Sequence, residues 1–485
     1  MHRYLLIAVL FFVGYFSCSA QSENSDTIVN RFKNYFNSHQ SDSIYQQWNR
    51  QAKAAVSKPQ LDSLLNQQLY PLGKLESATF LKTENDLEHF KLVFSQETLK
   101  LVLGIDSNKK IGTLLFQPFD ELPKESDTTS RPAGKDTSNL SKNNSPATTE
   151  NTLDNWVDSL ALQYINTPAT CGLAIGIIHN GKASYYYYGE TIRGNKVLPD
   201  QATLFEIGSI TKTFTATLLA NATLTDSIHL NDPIVKYLPD SVAQNTALEK
   251  ITFQNLATHT SGLPRLPSNI NPKEPLDPYK DYNRNALFTY LKNYKQQNTP
   301  DSIYEYSNLG YGIIGEILAY KKNSSYNELV EKTICAPLEL NNTTEFPGGD
   351  DLANFIPTYN EKGELTPHWH FLALSGAGSL KSTIRDLLKF AESNINIPNT
   401  TLGKAIALTH KPSWLLSETQ DLGLAWHINI ENFQEIFWHN GQTFGSSSFL
   451  AFAPDKKIAV VVLANAAKSV DSIGFSLINN LIANH

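Results

Sequence analysis

Ser209 and Lys212 stand three residues apart in FEIGSITKTFTATLLANATL. If a helix begins near Ser209, that spacing puts hydroxyl and amine on one face, where the amine can take the hydroxyl proton and leave a nucleophile. Backbone N–H groups at a helix start are unpaired, so donors also stand where an acyl oxyanion would develop. The positive helix end and partial burial would lower the pKa of Lys212 toward neutrality. Taken alone the pair is weak evidence, because a capping serine followed by a solvated lysine looks the same.

Two further stretches carry residues that would complement such a pair. In IYEYSNLGYGIIGEIL, the Tyr306 phenol can relay a proton if a neighbouring ammonium stabilises its anion, and Asn308 can present its amide to a substrate carbonyl. In IFWHNGQTFGSSSF, a strand passes Gly441, which lets another backbone or a ligand approach closely. His439 is expected on an edge strand there, with the main-chain N–H of Gln442 as a second oxyanion donor. The same tripeptide occurs at 179–181 inside CGLAIGIIHNGKASYYYYGE, where Asn180-Gly181 reads as the turn of a hairpin and His179 merely borders it.

The elements that must position these residues follow from periodicity. From about 25 to 70 apolar residues recur at three and four, as in IVNRFKNYFNSHQSDSIYQQW, and from about 73 the runs SATFLKT, HFKLVFSQ, TLKLVLGID and KIGTLLFQPF alternate in twos. Residues 21–120 are therefore expected to form a small α+β domain, similar in arrangement to NTF2-like domains. Residues 121–150, rich in Ser, Thr, Asn, Lys and Pro, read as a disordered linker with a reach of roughly 30 Å. The second domain spans 151–485: a hairpin, a mostly helical middle, then strands IFWHNG, SSFLAFAP and KIAVVVLAN and a closing helix. A sheet built from both ends with helices inserted between accounts for that order.

Ser-x-x-Lys, Tyr-x-Asn and a basic residue-x-Gly in this order resemble the signature of serine penicillin-recognising enzymes. LFEIGSITKTFTA, IHLNDPIVKYLP, ITFQNLATHTSGLP, YSNLGYGIIGEIL, SGAGSLKSTIRDLLKF and KKIAVVVLAN are similar to the branch holding class C beta-lactamases, D,D-carboxypeptidases, D-aminopeptidases and related esterases. The resemblance implies an α/β, beta-lactamase/transpeptidase-like fold. It also implies an acylated Ser209, Lys212 as base, Tyr306 as relay, Asn308 as the substrate-amide contact, and an oxyanion hole from the N–H groups of Ser209 and Gln442, with no cofactor.

The sequence departs from the beta-lactamases of that branch at His439, where Lys is usual. A lysine is a permanent cation beside a substrate carboxylate, whereas an imidazole of ordinary pKa is mostly neutral at pH 7. The expectation is an acyl-enzyme hydrolase of a small ester, D-amino-acid amide or cell-wall peptide, with slow beta-lactam turnover. A penicillin- or peptidoglycan-binding receptor and a beta-lactam hydrolase are the alternatives.

The 485 residues carry a formal net charge of -7 with both signs mixed, so nothing resembles the basic face that nucleic acid or an anionic membrane requires. MHRYLLIAVLFFVGYFSCSAQ has the basic start, short apolar run and small residues of a secretory signal cleaved after Ala20, which predicts a periplasmic or extracellular protein with no transmembrane segment in the mature chain. Acylation at Cys18 is the alternative, and Tyr15 argues against it. Cys171 and Cys335 read as small buried residues. His368 and His370 in HWH lack a third ligand at metal-binding spacing. His259 reads as a structural hydrogen-bonding residue, Tyr185 to Tyr188 as strand residues exposed on both faces, and residues 445–448 as neighbours of the pocket whose hydroxyl directions are open.

Overall fold

The computed structural model describes residues 25–55, 58–84, 87–106, 109–118, 150–431 and 434–484. The proposed leader 1–20 and residues 121–149 of the proposed linker lie outside the described residues. The chain divides into two compact units, Met1–Ser141 and Lys142–His485.

In the first unit, helices Ser25–Asn37, Ser41–Gln46, Arg50–Ala55 and Lys58–Leu64 precede an antiparallel meander. Its strands are β1 (Leu75–Glu84), β2 (Leu87–Phe94), β3 (Thr98–Ile105) and β4 (Ile111–Pro118), in that spatial order. Alternation puts Leu99, Leu101 and Leu103 of β3 inward. Phe32 and Phe36 from the first helix meet Phe116 and Phe94 in the core.

The second unit is organised by an eight-stranded antiparallel sheet. Chain order gives β5 (Gly172–His179), β6 (Lys182–Gly189), β7 (Leu204–Glu206), β8 (Thr358–Tyr359), β9 (Leu365–Thr366), β10 (Lys381–Thr383), β11 (Trp414–Ser417), β12 (Gln420–Leu422), β13 (His427–Glu431), β14 (Gln434–Gln442), β15 (Ser447–Ala453) and β16 (Ile458–Ala464). The large sheet runs β11-β12-β13-β14-β15-β16-β5-β6, so both ends of the domain build it, while β7 pairs with β10 and β8 with β9. β16 is apolar throughout because it is covered twice: Val460, Val462 and Ala464 face a core with helices Glu150–Ile165 and Asp471–Ala483, and Ala459, Val461 and Leu463 face the helical layer. Among the described residues no helix is long and apolar enough to cross a membrane.

Two expectations need correction. β14 is an interior strand, paired with β13 on one side and β15 on the other, so His439 does not sit on an edge. Tyr185 to Tyr188 are not exposed on both faces of the hairpin: Tyr186 and Tyr188 donate to Asp154 and Asp158 at 2.8 and 2.6 Å, while Tyr185 and Tyr187 pack on the opposite core. The helix Glu150–Ile165 that supplies those aspartates covers one face, and the helical layer covers the other.

Candidate active site

Ser209 lies in a single 3-10 turn, Gly208–Ile210, that runs into the helix Thr211–Thr225. This helix is buried on nearly every side, which explains its run of small and apolar residues. Three of its buried threonines donate their hydroxyls to backbone carbonyls, Thr213 to Ile210 at 2.8 Å, Thr215 to Gly376 at 2.7 Å and Thr217 to Thr213 at 2.8 Å, and Thr211 Oγ1 accepts the Leu380 N–H at 3.1 Å. The same environment buries Lys212 completely.

Lys212 Nζ lies 2.9 Å from Ser209 Oγ and donates to the Ala377 carbonyl at 2.6 Å. Burial, and then the positive charge of Arg265, push its pKa well below the ordinary lysine value. A neutral amine in hydrogen-bond reach of a serine hydroxyl can accept its proton, which is what nucleophilic activation needs.

β14 brings the opposite wall to the serine. A Cβ on Gly208, whose φ is +47°, would lie 2.7 Å from Gln442 N. A Cβ on Gly441 would lie 2.1 Å from Ile207 O and 2.9 Å from Ser209 N. Only two glycines facing one another allow this approach, and it puts the main-chain nitrogens of Ser209 and Gln442 beside the same small space. The Gln442 side chain turns away and donates to the Ala467 carbonyl at 2.7 Å.

Tyr306 stands across from Lys212, whose Nζ lies 4.9 Å from the centre of its ring. Burial raises the phenol pKa, with the Ser209 hydroxyl opposing, so the resting group is a neutral phenol. Ser307 caps the helix Asn308–Lys322: its Oγ accepts from Gly310 N–H at 3.0 Å and donates to the Pro264 carbonyl at 2.7 Å. His259 Nδ1 accepts the Ser307 N–H at 3.0 Å while its ring centre lies 4.4 Å from that of Tyr306, the planes tilted by 33°. Asn308 begins the helix with its Oδ1 buried and unpartnered among the described residues, so a donor arriving with substrate would complete it.

His439 is buried, its ring 6.5 Å from that of Tyr306. Nδ1 donates to the Asn440 carbonyl at 2.6 Å, which leaves a lone pair on Nε2 with no hydrogen-bond partner among the described residues. Burial, then the neighbouring His427 and Lys212, push its pKa well below the ordinary imidazole value. It is therefore neutral at pH 7.

The geometry adds a buried polar network that spacing could not suggest. Glu206, at the end of β7, accepts from Thr443 Oγ1 at 2.6 Å and from Trp369 N–H at 2.7 Å. Burial opposes its ionisation, but hydrogen bonding from His368 and the charge of Lys381 win and hold its carboxyl below the usual range. Ser448 Oγ donates to the Ile207 carbonyl at 2.8 Å. These bonds fasten both ends of the β14–β15 turn to the segment leading into Ser209.

His368 and His370 go separate ways: Nδ1 of His368 lies 3.4 Å from Glu206 and Nδ1 of His370 lies 2.7 Å from Asp277. Among the described residues no group of three or more His, Cys, Asp or Glu could hold a metal ion. Cys171 and Cys335 are buried free thiols, and burial pushes the latter up to about 12.

A family model described as Beta-lactamase matches residues 157–476, more than half of the chain. The chain belongs to the Beta-lactamase family. It is similar to the beta-lactamase of Pseudomonas fluorescens, 27% identical over 342 residues that cover 64% of this chain and 92% of that one. The D-alanyl-D-alanine-carboxypeptidase/endopeptidase AmpH of Escherichia coli (strain K12) is 30% identical over 241 residues, covering 50% of this chain and 61% of that one. A solved structure described as a class C beta-lactamase superposes with a TM-score of 0.62 at 25% identity, over 68% of this chain and 96% of that one. The second unit thus has the beta-lactamase/transpeptidase fold, and the chain is a beta-lactamase-like serine hydrolase.

Proposed function

We propose that this Beta-lactamase family protein is an exported hydrolase that forms an acyl-enzyme on Ser209 from a small ester, a D-amino-acid amide or a cell-wall peptide. The observation that carries the reading is the buried Lys212 amine 2.9 Å from the Ser209 hydroxyl, at the start of a helix. Ser209 Oγ attacks the substrate carbonyl carbon as its proton passes to Lys212 Nζ. The carbonyl oxygen becomes an oxyanion facing the N–H groups of Ser209 and Gln442. Tyr306 delivers a proton to the leaving group as the carbon–heteroatom bond breaks, and the resulting ester is cleaved by water through the same residues in reverse. Gly441 keeps that wall close enough to serve, and Asn308 offers its side-chain oxygen to a substrate N–H.

His439 supports the choice among substrates. A buried neutral imidazole supplies no fixed charge for a carboxylate, so beta-lactam turnover is expected to be slow. Beta-lactam hydrolysis is the second reading, favoured by the likeness to the beta-lactamase of Pseudomonas fluorescens. For the leading unit we propose the NTF2-like assignment, supported by its helices followed by a four-stranded meander.

The test is the intact mass of the protein after exposure to a fluorescent penicillin and, in parallel, to an activated ester. Wild type is expected to show an adduct that decays, faster for the ester. Ser209→Ala is expected to show none and to lose at least about 1,000-fold in steady-state ester turnover. A persistent adduct with both probes would replace the hydrolase by a receptor, and Ser209-independent turnover would remove Ser209 from the mechanism.

A further inference from the structure

The third sequence element offers His439, which is buried and neutral, while Lys212 is committed to Ser209 and the Ala377 carbonyl. Among the described residues, a further positive group beside the site is Arg265, an exposed residue whose guanidinium carbon lies 5.1 Å from the centre of the Tyr306 ring.

Arg265 is held there by its backbone. Its carbonyl accepts the Leu309 N–H at 3.2 Å, and the preceding Pro264 carbonyl accepts from Ser307 Oγ at 2.7 Å. The loop is thereby tied on both sides of the peptide that carries Tyr306 and Asn308, and Pro264 and Pro267 restrict it further. Among the described residues the guanidinium has no hydrogen bond or ion pair, and it lies against the Tyr306 ring. Glu305, which precedes Tyr306 in the chain, is engaged elsewhere and accepts from Asn298 Nδ2 at 3.4 Å. A guanidinium held against an aromatic ring with no hydrogen-bond partner of its own has N–H donors to spare, which suits bidentate capture of a carboxylate.

We propose that Arg265 binds a carboxylate on the leaving group of the substrate, so that the site selects acyl donors whose departing part ends in an anion, as a C-terminal D-amino acid does. The proposal rests on the reading of Tyr306 as the group that protonates the leaving atom, because a cation 5.1 Å from the centre of that ring is brought close to whatever departs. In a D-amino-acid leaving group the carboxylate is one carbon removed from the departing nitrogen. It would reach the guanidinium while the nitrogen faces the phenol.

The probes are two esters of phenylacetylglycine that differ only in the leaving group, 3-hydroxybenzoate against the neutral 3-hydroxybenzamide. The readout is the ratio of their kcat/KM values. Wild type is expected to favour the benzoate about tenfold to a hundredfold, the worth of a charge-assisted hydrogen-bonded pair. Arg265→Gln is expected to bring the ratio close to one, and Arg265→Lys to recover part of it; a thermal melt of each variant reports folding. A ratio near one in wild type, or one unchanged in folded Arg265→Gln, overturns the proposal. An equal loss on both esters also overturns it, since Arg265 would then act on Tyr306 and Lys212 rather than on substrate. Absence of Ser209-dependent turnover of the neutral ester would instead bring down the hydrolase reading, and the proposal with it.

Discussion

The two copies of His-Asn-Gly in this chain have opposite structural lives. At 179–181 the tripeptide closes the hairpin between β5 and β6: Asn180 has φ +50°, Gly181 has φ +72°, and a Cβ on Gly181 would meet nothing within 4 Å. At 439–441 it lies within a strand paired on both sides, and a Cβ on Gly441 would strike the backbone on either side of Gly208. Glycine serves the first copy by the backbone angles it permits and the second by the side chain it lacks. Identical residues therefore carry different information, and only the strand pairing around them tells which.

The largest effect that can break this contrast is alanine at the two glycines. Gly441→Ala is expected to lower ester kcat by about 100-fold or more, because the new methyl pushes Gln442 and Ser209 apart and with them the proposed oxyanion donors. Overpacking should add about 1 to 3 kcal/mol of destabilisation. Gly181→Ala should cost about 1 to 2 kcal/mol from its left-handed angle and leave kcat unchanged. Chromogenic-ester kinetics with denaturant melts decide it; similar kinetics in both variants would remove Gly441 from the site.

Next in size is the acid sensitivity of the buried copy. Burial depresses the folded pKa of His439, and of His259 and His427, the last to about 4. Below about pH 6.5 the unfolded chain then binds protons that the folded chain refuses, so stability is fully present above that value and is lost as the pH falls toward 4. Each such imidazole contributes up to about 1.4 kcal/mol per pH unit in that window. Urea midpoints between about pH 4.5 and 8 should show this slope, and His439→Gln should make it shallower. An unaltered slope in a folded variant would mean that His439 is not held neutral. For the same reason, carboxylate-bearing substrates should lose no affinity through His439 as the pH rises from about 6 to 7.

What the sequence disclosed follows the range of the interactions. Ser209 and Lys212 are three residues apart, and Tyr306 and Asn308 two, so local geometry suffices to pair them. The hairpin at Asn180-Gly181 is equally local. The interior position of β14 was illegible because the strand that covers its outer side, β13, has only five residues, His427–Glu431, too short a run to announce itself. The Glu206 network escapes for another reason: its contacts with Thr443 and Trp369 join positions 237 and 163 residues apart. Both faces of β6 are covered, so its four consecutive tyrosines look the same as an exposed run would.

The middle residue gives the smallest and sharpest comparison. Asn180 is present for its tolerance of a positive φ, which glycine shares, so Asn180→Gly should change stability by only a few tenths of a kcal/mol. Asn440 has a bond to lose: its Nδ2 donates to Asp471 Oδ2 at 2.7 Å, joining β14 to the start of the helix Asp471–Ala483. Asn440→Gly forfeits that charge-assisted bond and places a flexible residue inside a strand, for a cost of about 2 kcal/mol. Asp471→Ala in the same background separates the two contributions, because the part that belongs to the bond is then already absent and the remaining loss should fall to about 1 kcal/mol. Equal costs for Asn180→Gly and Asn440→Gly would show that the Asn440–Asp471 contact adds nothing measurable, and that the two copies differ in their glycines alone.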